Sequence, residues 1–405
     1  MNFKLANITA TFITSLTIST FNPAYFSYSI IIFIVFFFFD LLTTKAFVKF
    51  KTSLLEPRVC LGIIFFYFSL LLASIINQDI AGLKETFIFI SWILPAILLL
   101  YISNKYNTFS GISIGILSGA FFLCIQSIPS IFTYSDFKTI RLYTKLLNFN
   151  QLAMFLELIL PFLFYHILIC KKHLCRVGYT LVLAIVLICL LLTQSRGALV
   201  ATTISIICSC LLYIYLTPKA QFILRLKKYR KQFLALGGAL IIIFSLVTIV
   251  SIYRYNPNDH NFGTERGLMW ETSLEMWNDH KLSGIGVSHW EEMYYGPYRP
   301  THLIEPNAQH FHPHNMFLNY LSTAGIIGLL GYIVYMIFLF TGMYHLVRLS
   351  HSPAFVFIAL TPFIAYFLHG LLDDTLVHKS VARLFYMMMS IVFIYYNYQY
   401  SKNKM

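Results

Sequence analysis

Residues 181–192 read Leu-Val-Leu-Ala-Ile-Val-Leu-Ile-Cys-Leu-Leu-Leu, a run of apolar side chains without a single charge. A polar turn follows, in which residues 193–197 read Thr-Gln-Ser-Arg-Gly, and a second apolar run begins directly after it. A chain in hydrocarbon must satisfy its own backbone hydrogen bonds, and a helix does so along its whole length. The stretch therefore predicts two membrane-spanning helices joined by a short polar turn.

The same apolar character extends over the whole chain. Of the 405 residues, 58% are hydrophobic and 11% are charged, whereas soluble proteins carry about 25% charged residues. This composition excludes a soluble globular protein, which would expose too much apolar surface to water, and it excludes intrinsic disorder. The long apolar runs also exclude a β-barrel, whose strands alternate. We therefore predict an all-α, polytopic integral membrane protein.

A membrane helix needs about 20 mostly apolar residues, and that criterion predicts about twelve transmembrane helices. They lie roughly at 5–21, 25–43, 59–76, 86–102, 111–132, 149–170, 177–193, 197–216, 233–253, 314–343, 353–371 and 384–399. The first is interpreted as a helix and not as a signal peptide, because no convincing cleavage site follows it. Three units result: helices one to nine in 1–253, a large loop in 254–313, and helices ten to twelve with a short tail in 314–405.

The net charge of +13 predicts an orientation. With the N-terminus in the cytoplasm, 18 of the 29 basic residues fall on cytoplasmic segments, as membrane proteins prefer. The stretch 219–231 carries several of them and no acid. An even helix count then places both termini in the cytoplasm and the 254–313 loop outside. The scattered basic residues suit anionic lipids and include no nucleic-acid-binding module.

The 254–313 loop is polar and holds 8 of the 16 acidic residues and 3 of the 4 Trp. Loops of this length are usually functional. An amphipathic helix is predicted at 265–279, and Arg266 lies in its first turn. Arg266 either pairs with Glu265 or Glu271 or meets an anionic ligand.

Two further motifs lie on the predicted outer side. Arg196 at the hairpin tip either reaches to the headgroups or, with the hydroxyl of Ser195 beside it, binds a phosphate. Residues 310–315 read His-Phe-His-Pro-His-Asn. Pro313 suits the first position of a helix, which would place His314 and Asn315 in a first turn that favours anions. His314 would suit a general base.

Other chemistry has weaker support in the sequence. His310, His312 and His314 alternate as metal ligands can, but Pro313 interrupts the run and no firm fourth ligand is placed. Carboxylates are available as ligands, so a metal site is the less favoured alternative, and no metal and no other cofactor is predicted. No Gly-rich nucleotide loop is present, which argues against ATP as a substrate.

Several polar residues elsewhere remain open to two interpretations. Arg141, between Lys138 and Lys145, forms a basic outer loop that could bind an anion. Ionisable residues inside predicted spans mark either functional groups or satisfied helix contacts; these are Glu157, His166 and His369. Asp373 and Asp374 mark an outer turn, and the spacing of Gly325, Gly328 and Gly331 predicts close helix packing.

The order of these motifs resembles the O-antigen ligase family of Gram-negative inner membranes. The Ser-Arg-Gly turn comes first, followed by the loop with Arg266 and Trp270, Ser-Gly-Ile-Gly at 283–286, Pro-His-Asn at 313–315 and Ala-Gly-Ile-Ile-Gly at 324–328. The resemblance implies a multi-helix membrane fold similar to that of GT-C-type glycosyltransferases. It implies that Arg196 and Arg266 hold a donor pyrophosphate and that His314 is the base. The residues then predicted to bind substrate are Arg141, Ser195, Trp270, His312 and Asn315.

The implied activity is a metal-independent, inverting transfer of O-antigen polysaccharide. The donor is linked to undecaprenyl pyrophosphate, the acceptor is a sugar hydroxyl of lipid A–core, and the reaction belongs to lipopolysaccharide biosynthesis at the periplasmic face. An O-antigen polymerase, which extends lipid-linked repeats, is the alternative. A lipid-sugar transporter is disfavoured because the chain has no paired halves. A non-catalytic scaffold would not need Arg and His at one outer cleft.

Overall fold

The computed structural model describes residues 3–20, 55–133, 140–218, 261–300, 310–350 and 352–404, and every regular element in these ranges is helical. Four of the sequence predictions fall outside the described residues: the spans at 25–43 and 233–253, the basic stretch 219–231, and Lys138.

The described α-helices are labelled in chain order. They are α1 (Phe3–Ser19), α2 (Pro57–Ile76), α3 (Ile80–Ser91), α4 (Leu94–Lys105), α5 (Phe109–Ser127), α6 (Phe149–Ile169), α7 (His173–Thr193), α8 (Arg196–Leu216), α9 (Asn261–Asp279), α10 (Trp290–Tyr295), α11 (Met316–Leu349), α12 (Val356–Ala359), α13 (Thr361–Gly370) and α14 (Lys379–Lys404). Short 3-10 helices follow α5 at Ile128–Thr133 and precede α12 at Pro353–Phe355.

Eight helical stretches in the described residues are long and apolar enough to cross a membrane. They are α2, Ile80–Lys105, Phe109–Thr133, α6, α7, α8, α11 and Pro353–Gly370. Each coincides with a predicted span, and α1 and α14 coincide with the first and the last prediction. The prediction of an all-α polytopic membrane protein is confirmed. The total of twelve spans and the three-unit division remain predictions.

Helix α6 lies in the middle of the bundle. Nearly all of its residues from Leu152 to Leu163 are inaccessible to solvent, whereas α7 and α8 keep most of their surface on the outside. Asn148 begins α6 with a capping box, in which its side chain accepts from the backbone of Gln151 and the side chain of Gln151 accepts in return. Because α6 is enclosed, each polar side chain on it needs a partner within the protein.

The two ends of the bundle differ in chemistry. At one end, which we call the polar end, lie the C-termini of α2, α7 and α13 and the N-termini of α3, α6, α8 and α11. Hydrogen bonds connect these helix ends, for example from Asn150 Nδ2 to Asp373 Oδ2 at 3.0 Å. The opposite end carries the described basic residues that were predicted to be cytoplasmic. These are Lys4, Arg58, Lys105, Lys171, Lys172, Arg176 and Arg348.

Helix α11 is broken at Gly325, inside the predicted span 314–343. Gly325 has φ 64° and ψ −161°, a conformation that is essentially restricted to glycine. Loop residues 281–286 fill the break: the N–H groups of Ile285 and Gly286 donate to the carbonyls of Ser322 and Thr323 at 2.9 and 3.0 Å. The backbone groups freed by the break are thereby satisfied within the protein.

Gly325 and Gly331 therefore have different roles. The packing expectation is wrong for Gly325, because its positive φ breaks the helix instead of bringing two helices together. It is right for Gly331, where a Cβ would collide with Ser69 of α2. Ser-Gly-Ile-Gly and Ala-Gly-Ile-Ile-Gly, separate motifs in the sequence, thus form one backbone junction between the loop and α11.

Candidate functional site

The hairpin between α7 and α8 presents Arg196 at the start of a helix. Gln194 ends α7 in the left-handed conformation, with φ 56°. Ser195 is the N-cap of α8, and its N–H donates to Thr193 Oγ1 at 3.3 Å. Arg196 is the first residue of α8, where the helix dipole and the unpaired N–H groups favour an anion.

Helix α9 carries Arg266 and confirms a helix in the predicted region. It begins at Asn261 and not at residue 265, so the expectation that Arg266 lies in its first turn is wrong: Arg266 lies in the second turn. Helix α9 packs with α10 into a small core of Met269, Met276, Trp290 and Tyr294. This core lies outside the main bundle, and the 281–286 segment links it to α11. Arg266 is thus held by a folded unit and not by a free loop.

Trp270 connects α9 to the Pro-His-Asn motif. Its Nε1 donates to the carbonyl of Pro313 at 3.0 Å, and Arg266 lies one helical turn before it. The indole N–H is therefore engaged in holding the backbone before His314.

His314 and Asn315 precede helix α11, so the expectation that they lie in its first turn is wrong. His314 has φ 52°, which turns the chain before the helix begins at Met316. Asn315 is the N-cap: its Oδ1 accepts from the N–H of Leu318 at 3.1 Å, and its Nδ2 donates to the carbonyl of Leu371 at 3.1 Å. Asn315 thereby ties α11 to the segment after α13.

His314 forms a close pair with Asp373. Nδ1 of His314 lies 2.8 Å from Oδ1 of Asp373, a buried carboxylate that also accepts from Asn150 Nδ2 and from the N–H of Asp374. Burial alone would raise the pKa of Asp373, but the hydrogen bond and charge of His314, followed by the charges of His312 and His378, lower it well below its usual range. An ionised carboxylate only accepts, so Nδ1 of His314 donates and Nε2 keeps the lone pair.

Two more histidines pack around this pair. His312 is buried, and burial lowers its pKa to about 3. Its Nδ1 accepts from the backbone N–H of His314 at 3.3 Å. His378 Nδ1 lies 3.0 Å from Gln151 Nε2, and burial lowers the pKa of His378 as well. Because Gln151 Oε1 accepts from the N–H of Asn148, its amide nitrogen is the group that donates to His378.

The spacing of this cluster would also admit a metal ion. Ligand atoms of His312, Asp373 and His378 lie within 4.8 Å of one another. Both rings accept at Nδ1, however, so in the neutral form the proton sits on Nε2 and blocks that lone pair. Asp373 is already occupied by three N–H donors. These contacts favour a hydrogen-bonded cluster over a metal centre.

Asp374 differs from its neighbour Asp373. It is fully buried, and the backbone N–H groups of Leu376 and Val377 approach its carboxylate without the geometry of a normal hydrogen bond. Burial, followed by the charge of Asp373, raises the pKa of Asp374 to about 8. The adjacent carboxyl groups therefore share a single negative charge at neutral pH, which Asp373 carries.

The two arginines converge on this pair. Burial lowers the pKa of Arg266; Asp373 raises it and the charge of Arg196 lowers it further. Arg266 on α9 is thus within electrostatic reach of both Arg196 on α8 and Asp373 in the turn after α13. Two cations and a buried carboxylate–imidazole pair therefore share the polar end.

The remaining predicted residues lie around this group. Arg141 stacks over Phe149, with Cζ 4.5 Å from the ring centroid, and the N–H of Leu142 donates to the carbonyl of Leu192 at the end of α7. His310 Nε2 lies 3.9 Å from Glu265 Oε2, which links the histidine tract to α9.

Sequence reasoning missed how Asp373 is used and did not select Asn150, Gln151 or His378. Asp373 was noted only as marking a turn. Two signals were available: an Asp-Asp pair after a strongly apolar stretch, and the capping pattern of Asn148 and Gln151 at the start of α6.

The fold and the site together define a multi-pass helical membrane protein whose cationic and imidazole chemistry gathers at one end of the bundle. Residues 181–333, less than half of the chain, match the family model described as O-Antigen ligase. This confirms the resemblance read from the motifs: that part of the chain is similar to the O-antigen ligase family. The match supports an O-antigen-related function with glycosyltransferase-like chemistry on polysaccharide–lipid substrates. A search of curated proteins finds no match.

Proposed function

We propose that the protein is an O-antigen ligase. It transfers O-antigen from undecaprenyl pyrophosphate to a sugar hydroxyl of lipid A–core in the bacterial inner membrane. The observation that carries the proposal is the juxtaposition of Arg196, Arg266 and the His314–Asp373 pair at one end of a membrane bundle. Basic residues at the opposite end support an orientation in which the polar end faces the periplasm.

In this proposal the donor pyrophosphate lies between Arg196 and Arg266, at the N-terminus of α8. Guanidinium groups form paired hydrogen bonds with phosphate oxygens, and the helix N-terminus adds N–H donors. The bond from the anomeric carbon to the pyrophosphate breaks, and the negative charge that develops on the leaving group is stabilised by these fixed cations. No nucleotide is consumed, because the pyrophosphate bond supplies the free energy.

The acceptor hydroxyl is activated by His314. As the acceptor oxygen bonds to the anomeric carbon, its proton passes to Nε2 of His314, and Asp373 stabilises the imidazolium through Nδ1. One displacement inverts the anomeric centre. His312 and His378 are neutral at pH 7, so they add no competing positive charge beside the base. The proposed reaction needs no metal.

The competing proposal is an O-antigen polymerase, which would use the same donor site with a second lipid-linked repeat as acceptor. Deletion in the native host separates the two in a lipopolysaccharide gel. If the protein is the ligase, core without O-antigen appears while long chains accumulate on the lipid carrier. A single repeat still attached to core identifies a polymerase instead, and an unchanged ladder contradicts both.

A further inference from the structure

Two ionisable residues lie deep among apolar helices and take no part in the proposed reaction. Glu157 on α6 and His369 on α13 are 0% and 2% exposed. His369 Nδ1 lies 3.2 Å from each carboxylate oxygen of Glu157. Apolar side chains of similar volume often join helices at no greater cost than such a pair. Holding α6 to α13 therefore does not by itself account for this pair.

The Glu157–His369 pair is one of two polar contacts between α6 and the α13 region, and it lies deeper in the bundle than the other. Asn150 lies seven residues before Glu157, on the same face of α6, and donates to Asp373 at 3.0 Å. The N–H of Asp373 in turn donates to the carbonyl of His369 at 2.9 Å. The backbone of His369 is thus bonded directly to the residue whose carboxylate orients His314.

The imidazole ring of His369 also supports α8. A Cβ built on Gly197 would lie 3.2 Å from Cδ2 and 3.5 Å from Nε2 of His369, so the ring lies against the first turn of α8. Arg196 is the adjacent residue, and the charges of Asp373 and Arg266 both reach the ring. His369 therefore contacts the helix that presents Arg196 through its ring, and the turn that presents Asp373 through its backbone carbonyl.

We propose that Glu157 and His369 are a positioning pair that fixes Arg196 relative to the His314–Asp373 pair. The inference rests on the proposed function, because this spacing matters only if one donor sugar bridges the pyrophosphate and the base. Glu157 holds the ring at Nδ1, and the opposite edge of the ring sets the first turn of α8. Neither residue touches a reacting atom.

The test compares His369→Asn with His166→Asn in the purified full-length protein. His166 is a matched control, because it is a buried histidine of α6 whose Nε2 contacts Tyr395 Oη at 2.8 Å, at the end opposite the site. We measure transfer kinetics with a saccharide linked to undecaprenyl pyrophosphate. His369→Asn should raise KM for this donor and lower kcat/KM by about tenfold or more, since small misplacements can cost about 100-fold.

A structural role alone would give a different pattern. Loss of folded protein lowers apparent kcat and the melting temperature but leaves KM unchanged, and this is the result expected of His166→Asn. Gly197→Ala approaches the same ring from the α8 side, so it should raise KM as His369→Asn does. Wild-type KM in both variants overturns the inference and leaves the proposed function intact.

Binding of undecaprenyl pyrophosphate separates the remaining outcomes. If the wild-type protein binds this lipid but transfers nothing, the proposed function fails. The placement of Arg196 at a pyrophosphate site is then still supported if His369→Asn binds about tenfold more weakly than His166→Asn, and overturned if the two bind equally. If the wild-type protein neither binds nor transfers, both proposals are overturned.

Discussion

At the scale of single residues, His314 is controlled by its neighbours more than by its helix. Its backbone is left-handed, its N–H is bound by His312, and its Nδ1 is bound by Asp373. Only Nε2 is left to accept a proton. His312 and Asp373 together thus fix the position, tautomer and orientation of the proposed base.

The Asp373→Asn variant tests this control. An amide can present either an oxygen or an NH₂ group to Nδ1, so the tautomer of His314 is no longer fixed and its imidazolium loses a charge partner. We expect kcat to fall by about 100-fold or more with little change in KM for the donor. Steady-state transfer kinetics measure both; wild-type kcat in a folded variant would remove Asp373 from the mechanism.

Asp374→Asn, unlike Asp373→Asn, should leave transfer largely intact, because the pKa of about 8 keeps Asp374 neutral at pH 7. The folded state holds a proton that the unfolded carboxyl has lost, so Asp374 makes the protein less stable as pH rises towards 8. The lowered pKa of His312 changes the stability of the folded state only below about pH 6.5. Between pH 6.5 and 8 the wild-type melting temperature should therefore fall more steeply than that of the variant.

Thermal unfolding in detergent at several pH values measures this difference, and transfer activity at pH 7 is the companion readout. Asp374→Asn should retain activity within about threefold, in contrast to Asp373→Asn. Parallel melting curves for wild type and variant across this pH range would contradict a protonated Asp374.

At the scale of helices and loops, the site depends on the junction between residues 281–286 and the break in α11. Asn77 at the end of α2 reinforces it by donating from Nδ2 to the carbonyls of Ser283 and Gly284 at 2.9 Å. The junction fixes where α9 leaves the bundle, and α9 carries Arg266 and Trp270. The break in α11 thus anchors the α9–α10 unit, which carries Arg266.

Gly325→Ala tests the junction. A Cβ at this position would collide with the carbonyl oxygen of Leu282, and the positive φ is unfavourable for alanine. We expect faster proteolysis of the 261–300 unit and a loss of transfer of about tenfold or more. Gly178→Ala in α7 is the matched control, because a Cβ there meets nothing within 4 Å; equal behaviour of the two variants would contradict the anchoring role.

The sequence predicted this fold well where apolar run length decides the structure. The hairpin at 193–197 and the α9 helix lie where expected, because both follow from local patterning. The His314–Asp373 contact was not predicted, since it joins residues 59 apart through a non-helical φ. The break at Gly325 was also missed, because glycines three apart have the same spacing in a continuous helix.

At the scale of the whole molecule, the distribution of charge bears on both the membrane orientation and the location of the candidate site. Among the described residues, one end of the bundle carries scattered basic side chains, and the other gathers arginines, histidines and a buried carboxylate. A donor that is itself a membrane lipid can reach such a site by lateral diffusion. The architecture therefore suits a transferase that joins two lipid-anchored substrates at one membrane face.

The central claim is tested most directly by transfer in a defined system. Purified protein in lipid vesicles receives O-antigen linked to undecaprenyl pyrophosphate, together with lipid A–core, in the presence of a metal chelator. The account predicts that wild-type protein yields lipid A–core carrying O-antigen, and that His314→Ala yields none while keeping its melting temperature. Product formation that persists in His314→Ala, or that requires an added divalent metal, would contradict the account.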